Sequence, residues 1–278
     1  MPIPFTRHVA SLPSSTPFVG PEAMERARGR GFRARLGANE SVFGPAPEAV
    51  AAMAAAAAQT WAYGDPEAHE LKAAIAARHG LTPAHVVVGE GIDGLLGVAA
   101  RLFLDRGDAA VTSVGAYPTF NYHLNGIGAR IVAIPYDGDR EDAPGLMRAA
   151  AGARARVVYL ANPDNPMGSW RTGAEVLAAL DALPADAILL LDEAYAEFAP
   201  DGALPAIDPD DPRVIRFRTF SKAQGLAGLR VGYALAAPEV ARGFDKLRNH
   251  FGVGRVAQAG ALAALGATGW LADVVART

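Results

Sequence analysis

The segment VVVGEGIDGLLGVAARL, residues 86–102, sets the fold. An apolar run, Val86–Val88, gives way to a glycine turn and then to apolar residues at helical spacing. It reads as a buried strand, a tight turn and an amphipathic helix over 92–104. Inside it, Gly89-Glu90-Gly91-Ile92-Asp93-Gly94 is a literal G-x-G-x-x-G. In this context, backbone N–H groups at a helix N-terminus can hold a phosphate.

Outward from this unit the same alternation repeats. Short apolar runs at Ala109–Ser113, Arg130–Ile134, Val157–Ala161, Ile188–Leu191, Val214–Phe217 and Gly232–Ala236 predict strands. Between them the pattern predicts helices over 119–127, 173–182 and 223–229. Strands apolar throughout imply a sheet covered on both faces, and alternation with helices implies βαβ units. The expected class is α/β: a mostly parallel central sheet in a three-layer αβα arrangement. Upstream, Pro47–Gln59 and Ala68–His79 are helical in pattern, the second closed by Gly80. The Ala-rich tract at 51–58 suits a helix, since alanine is the best helix former. Residues 1–35 lack clear periodicity and read as an arm. From Pro238 the chain reads as a long helix broken near His250–Gly254.

Composition narrows the function. The 278 residues are 51% hydrophobic and 20% charged, with a net charge of −3. No basic stripe supports binding to nucleic acid or an anionic membrane. With no cysteine, disulfides, thiolate zinc sites, iron–sulfur clusters and a cysteine nucleophile are excluded. No metal is expected. The N-terminus carries no signal-peptide core, and no apolar run approaches the ~18 residues of a membrane span. A cytoplasmic protein is expected.

Ligands of open α/β sheets sit at the carboxyl ends of strands. After the fourth strand comes Asn162-Pro163-Asp164-Asn165-Pro166-Met167-Gly168, in which two Asn-Pro pairs force an extended, turned backbone. After the fifth comes Asp192-Glu193-Ala194-Tyr195. Asp192 there suits a metal, a base, a protonated ring nitrogen or a plain helix cap. After the sixth comes TFSKAQGLAGLRVGY, residues 219–233. Its Lys222, among hydroxyls and small residues, suits a Schiff-base lysine, which needs a lowered pKa. Thr219, Ser221 and Arg230 can hold phosphate oxygens.

Together with Ala38-Asn39-Glu40-Ser41, Phe43-Gly44-Pro45, Tyr63-Gly64-Asp65-Pro66 and Pro118-Thr119-Phe120, these motifs resemble the fold-type I aminotransferases dependent on pyridoxal 5'-phosphate (PLP). Within them they are most similar to the histidinol-phosphate aminotransferases. The resemblance implies that Lys222 binds the cofactor covalently and moves the substrate proton, and that Asp192 pairs with the pyridinium nitrogen. It implies that Asn165 and Tyr195 bond the ring hydroxyl, Phe120 stacks on the ring, and Ala194 lies against its other face. Thr219, Ser221, Arg230 and the amides of Ile92 and Asp93 would hold the phosphate. Tyr63 would reach that phosphate from a neighbouring subunit, implying a homodimer, and Asn39 would approach the substrate. The implied substrates are an amino donor such as histidinol phosphate and a 2-oxo acid such as 2-oxoglutarate.

The resemblance divides the chain into an arm (1–35), a PLP-binding large domain (36–245) and a linker helix opening a truncated small domain (246–278). Departures from the family pattern are Ile92 in place of Ser or Ala, Phe120 where Tyr is usual, and Met167 where Thr is common. The arginine that grips the substrate carboxylate belongs to the small domain, and Arg248, Arg255 and Arg277 lack its context. Impaired transamination with retained PLP binding is therefore one alternative. A PLP-dependent decarboxylase of the threonine-phosphate type is another. A nicotinamide enzyme built on the 89–94 turn is disfavoured. That fold places an acid roughly 20 residues on, at the end of the second strand; here the next strand ends Ser113-Val114-Gly115, and Asp105 and Asp108 precede it.

Overall fold

The computed structural model describes residues 3–14 and 18–278; residues 1, 2 and 15–17, part of the expected arm, lie outside it. The strands are β1 (Val86–Gly89), β2 (Ala109–Ser113), β3 (Arg130–Ile134), β4 (Val157–Ala161), β5 (Ile188–Asp192), β6 (Val214–Thr219) and β7 (Gly232–Leu235). They form one sheet in the order β1-β7-β6-β5-β4-β2-β3. Only β7 runs against the rest, pairing antiparallel with β1 and β6.

Helices cover both faces, as the uninterrupted apolar strands require. On one face lie α5 (Gly91–Phe103), α6 (Pro118–Ile127) and α9 (Pro238–Phe244). Their Leu95, Leu96, Phe120, Leu124 and Phe244 pack on Val87, Tyr159, Leu190, Ile215 and Ala234. The opposite face carries two separate apolar clusters. In one, α7 (Ala143–Ala153) and α8 (Gly173–Leu180) cover Val158, Leu160, Leu189 and Leu191. In the other, α3 (Pro47–Ala57), α4 (His69–His79) and α10 (Arg255–Gly266) cover Val86, Val88, Tyr233 and Leu235. Burying each such Leu or Phe contributes ~1.5–3 kcal/mol before chain entropy is set against it. A polar seam divides the two clusters: Glu193, fully buried, pairs with Arg218 at 2.7 Å and Arg216 at 3.0 Å.

Several expectations are corrected. No α-helix forms over 223–229; only a short 3-10 turn occurs, at Ala227–Leu229. Gly225 has φ +68, and a Cβ there would lie 2.3 Å from the Gly44 carbonyl oxygen, so the segment is held open where it passes residue 44. Helix α7 was not anticipated. Asp142 caps it, accepting from the Gly145 amide at 3.0 Å, and Pro144 occupies a first-turn position where no N–H is needed. The arm holds α1 (Arg7–Ser11) and α2 (Pro21–Arg28). Beyond the 250–254 break, the final segment bends by a further 78° between α10 and α11 (Thr268–Arg277).

Among the described residues no single helix is long and apolar enough to cross a membrane; α10 and α11 reach that length only as this bent pair.

Between β2 and β4, pairing is confined to Ala110↔Val157 and Val111↔Val158. Past this point the buried Glu141 carboxyl bridges them, accepting from the Ala161 amide at 2.9 Å and from the Ser113 hydroxyl at 2.5 Å.

Candidate active site

Strand register builds the site. Gly89, Gly232 and Thr219 stand in one row across β1, β7 and β6. That row brings the turn into α5, the approach to β7 and the exit from β6 to one edge of the sheet. Gly232 is required by close approach: a Cβ would lie 2.9 Å from the Arg218 carbonyl oxygen and 3.1 Å from Gly91 Cα.

The first turn of α5 presents amides. Those of Ile92 and Asp93 have no partner among the described residues, as first-turn N–H groups lack an intrahelical acceptor. The Ile92 side chain is buried in the core, so it does not crowd the turn from outside. The loop after β6 adds hydroxyls. Thr219 Oγ1 accepts from the Ser221 amide at 3.0 Å, and Ser221 Oγ accepts from Arg230 Nη1 at 3.4 Å. Arg230, at φ 52, carries its guanidinium over Gly91, where a Cβ would come within 2.7 Å of Nη2. Amides, hydroxyls and a guanidinium thus converge on one spot, a donor set that fits a phosphate.

Lys222 Nζ donates to the Ala38 carbonyl at 2.9 Å and lies 5.5 Å from the Tyr195 ring centroid. Burial pushes its pKa down, and the nearby Arg230 charge adds to this. A lowered pKa favours the neutral amine that a carbonyl-binding lysine needs. Asn39, in the left-handed region at φ 52, donates from Nδ2 to the Tyr195 hydroxyl at 2.9 Å.

Asp192, 5% exposed, ends β5. Burial raises its carboxyl to about 6, against the pull of two donors: Tyr159 Oη at 2.8 Å and the Ala194 amide at 2.9 Å. Asn165 is half-buried in the loop after β4, and its side chain makes no hydrogen bond among the described residues. The loop is anchored by Asn162, whose side chain bonds the backbone of Arg171 and Ala203, across a cis Asn162–Pro163 bond.

Phe120 requires correction. A ring that lies on a cofactor must keep one face accessible, but Phe120 is 0% exposed and stacked on Tyr159, centroids 5.0 Å apart. Besides Tyr195, an aromatic near the first turn of α5 is Tyr117, at the N-terminus of α6, with its hydroxyl 3.5 Å from Asp93 Oδ2. Burial and the Asp93 charge push that phenol up to about 12. Sequence reading passed over Tyr117 although it follows a strand's carboxyl end, the position that singled out Asp192. Tyr63 is 79% exposed, its ring tilted against Phe251 at 4.8 Å.

The arginines considered for a substrate carboxylate are engaged elsewhere. Arg248 pairs with Asp245 at 2.5 Å and bonds the Pro66 carbonyl. Arg255 bonds the Tyr63 carbonyl at 2.6 Å. Arg277 pairs with Asp273 and lies over the Phe43 ring, 4.2 Å from its centroid.

Known proteins share this arrangement. The family model for aminotransferase class I and II matches residues 34–277. A histidinol-phosphate aminotransferase of Anaeromyxobacter sp. (strain Fw109-5) is 40% identical over 264 residues, covering 93% of this chain and 72% of the relative. One of Carboxydothermus hydrogenoformans is 37% identical, covering 92% of this chain and 72% of the relative. The crystal structure of histidinol-phosphate aminotransferase from Sinorhizobium meliloti, in complex with pyridoxal-5'-phosphate, superimposes with a TM-score of 0.94 at 54% identity. It covers 98% of this chain and 74% of that one. An L-threonine-O-3-phosphate decarboxylase from Porphyromonas gingivalis, at 20% identity and a TM-score of 0.71, shares the fold alone. With the family model matched over nearly its whole length, the chain belongs to the class I and II aminotransferases.

Proposed function

We propose that the chain is a PLP-dependent aminotransferase that moves an amino group from histidinol phosphate, or a related amino donor, to a 2-oxo acid such as 2-oxoglutarate. The observation that carries this is the meeting of Lys222, desolvated and beside Arg230, with buried Asp192 at the edge where unpartnered α5 amides, Ser221 and Arg230 form an anion cradle. Each part of the cofactor finds a matching group. The cradle, with Thr219 and the amides of Ile92 and Asp93, takes the phosphate. Asp192 takes the ring nitrogen, and Asn165 and Tyr195 take the ring hydroxyl. Ala194 offers a small side chain at one ring face.

Bound there, the cofactor would supply an electron sink for the charge left when a bond to the substrate's α carbon breaks. The chain's own residues do the rest. Asp192, as a carboxylate, holds a positive charge at the buried end of the site. Lys222 Nζ, its pKa lowered, takes and returns a proton near the α carbon. The Asn39–Tyr195 bond fixes the phenol beside Lys222 and brings Asn39 to the substrate side.

The same reading makes the protein a cytoplasmic homodimer in which the exposed Tyr63 reaches the partner's phosphate site. It assigns 1–35 to an arm, 36–245 to the cofactor-binding domain and 246–278 to the approach to a small domain.

The test has two stages. The chain is incubated with PLP, reduced with borohydride and digested; the pyridoxyl mass should fall on the peptide containing Lys222. A panel of amino donors with 2-oxoglutarate is then assayed for glutamate, with histidinol phosphate expected to lead. Absence of the Lys222 adduct, or carbon dioxide release in place of glutamate, overturns the reading.

A further inference from the structure

Tyr159 is buried completely in the middle of the sheet, and its hydroxyl would need a partner anywhere in that core. The partner it has is Asp192 Oδ2, at 2.8 Å. The other carboxyl oxygen, Oδ1, accepts from the Ala194 amide at 2.9 Å. A carboxylate has about four lone-pair directions, so one donor on each oxygen fixes its plane and leaves directions open toward the site. Tyr159 is itself held: Phe120 stacks on its ring at an interplanar angle of 21° with no exposed surface of its own. The three side chains form a line from the core to the site, Phe120 to Tyr159 to Asp192.

We propose that Tyr159 is a positioning residue for Asp192, its hydroxyl setting the plane in which the carboxylate meets the cofactor's ring nitrogen, with Phe120 as the backing that holds the Tyr159 ring in place. The inference rests on the PLP reading above. It also gives Phe120 a role that its burial allows, behind the acid rather than against the cofactor. The electrostatics agree with the geometry. Burial drives the Asp192 carboxyl up, and Asp93 on α5 and the adjoining Glu193 push the same way, whereas Tyr159 and the Ala194 amide pull it down. Without the Tyr159 hydroxyl the acid should take up a proton at higher pH, and a neutral carboxyl no longer pairs with a protonated ring nitrogen.

The test uses the full chain loaded with PLP and its Tyr159→Phe variant, which keeps the ring and its stack. PLP affinity, the pH titration of the bound cofactor's visible absorption band and the thermal unfolding of unloaded protein are measured. The variant is expected to bind PLP roughly tenfold more weakly, as for loss of one hydrogen bond to a charged acceptor. Its spectral transition should move along the pH axis. In an Asp192→Asn background, Tyr159→Phe should add little further loss of affinity, because its effect passes through the acid. Equal affinity and superimposable titrations for wild type and Tyr159→Phe overturn the inference, as does a full additive loss in the Asn background. If unloaded Tyr159→Phe does not unfold cooperatively, Phe120→Leu, which loosens the stack but keeps the hydroxyl, must shift the titration in the same direction or the inference fails. A wild-type chain that takes up no PLP overturns the cofactor reading itself, whereas normal wild-type binding beside an unchanged variant overturns only the role of Tyr159.

Discussion

Arg230 Nη2 lies 3.5 Å from Asp93 Oδ2, tying the approach to β7 to the first turn of α5. The pair is half-exposed, so water screens it and it contributes little to stability on its own. Its consequence is orientational: the guanidinium is held over Gly91, beside the free amides, where an anion would replace Asp93 as its partner.

Arg230→Ala should therefore leave the unfolding temperature nearly unchanged while weakening PLP binding by roughly 10- to 100-fold, the range for a lost charge-assisted contact. Absorbance titration with PLP checks this. Arg230→Lys should recover only part of the loss, since a lysine cannot reproduce the guanidinium fork.

Gly91→Ala should be damaging in two ways. The residue sits at φ +73, where a Cβ is strained, and that Cβ would meet Arg230 Nη2 at 2.7 Å. The flexible guanidinium can retreat, but only by leaving the cradle. A stability loss of about 1–2 kcal/mol, seen by denaturant unfolding, should accompany weaker PLP binding.

Glu193→Gln should cost ~3 kcal/mol or more in denaturant unfolding, because two arginines lose the charge that compensates them, one of them buried. Glu193 adjoins Asp192 but faces the opposite side of the sheet, so the loss should appear in stability before it appears in PLP affinity.

Glu141 should give the protein a pH-dependent stability. Burial raises its carboxyl to about 8, opposed by the Ser113 and Ala161 donors. The folded chain therefore holds a proton that the unfolded chain has released above the ordinary glutamate range. Stability should fall as pH rises from about 4.5 toward about 8, with a slope of at most ~1.4 kcal/mol per pH unit for this one proton. Glu141→Gln, whose amide oxygen still accepts from Ala161, should flatten that decline. Unfolding temperatures compared across this range check it; equal slopes in the two proteins would show that the proton is held elsewhere.

The sheet was legible because each strand is a short apolar run set between helical patterns, a local signal that needs no tertiary information. The placement of Asp192 at the end of β5 and of Lys222 just past β6 was legible because polar residues directly after such runs stand out. Tyr117 follows a strand as closely, but its significance depends on Asp93, which lies 24 residues away in sequence. Tyr159 sits inside an apolar strand and reads as core; only its placement two residues diagonally from Asp192, on the neighbouring strand, gives its hydroxyl a task. The segment 223–229 misled because its small residues suit a helix, whereas Gly44 crossing against Gly225 forbids one. Phe120 misled because a motif fixes where a residue lies in the chain and not which way its ring turns.

The buried charges between the two apolar clusters have a consequence for cooperativity. One cluster joins β1 and β7 to α3, α4 and α10; the other joins β2, β4 and β5 to α7 and α8. On that face Glu193 and its arginines lie between the two blocks, and on the opposite face one continuous apolar cluster joins them. Units bounded in this way tend to open separately, and hydrogen exchange resolves them as distinct foldons. Arg230 and the turn at Gly91 belong to the first block, Asp192 and Asn165 to the second. A molecule held by both at once spans the joint, so its binding energy also works to keep the two foldons from parting.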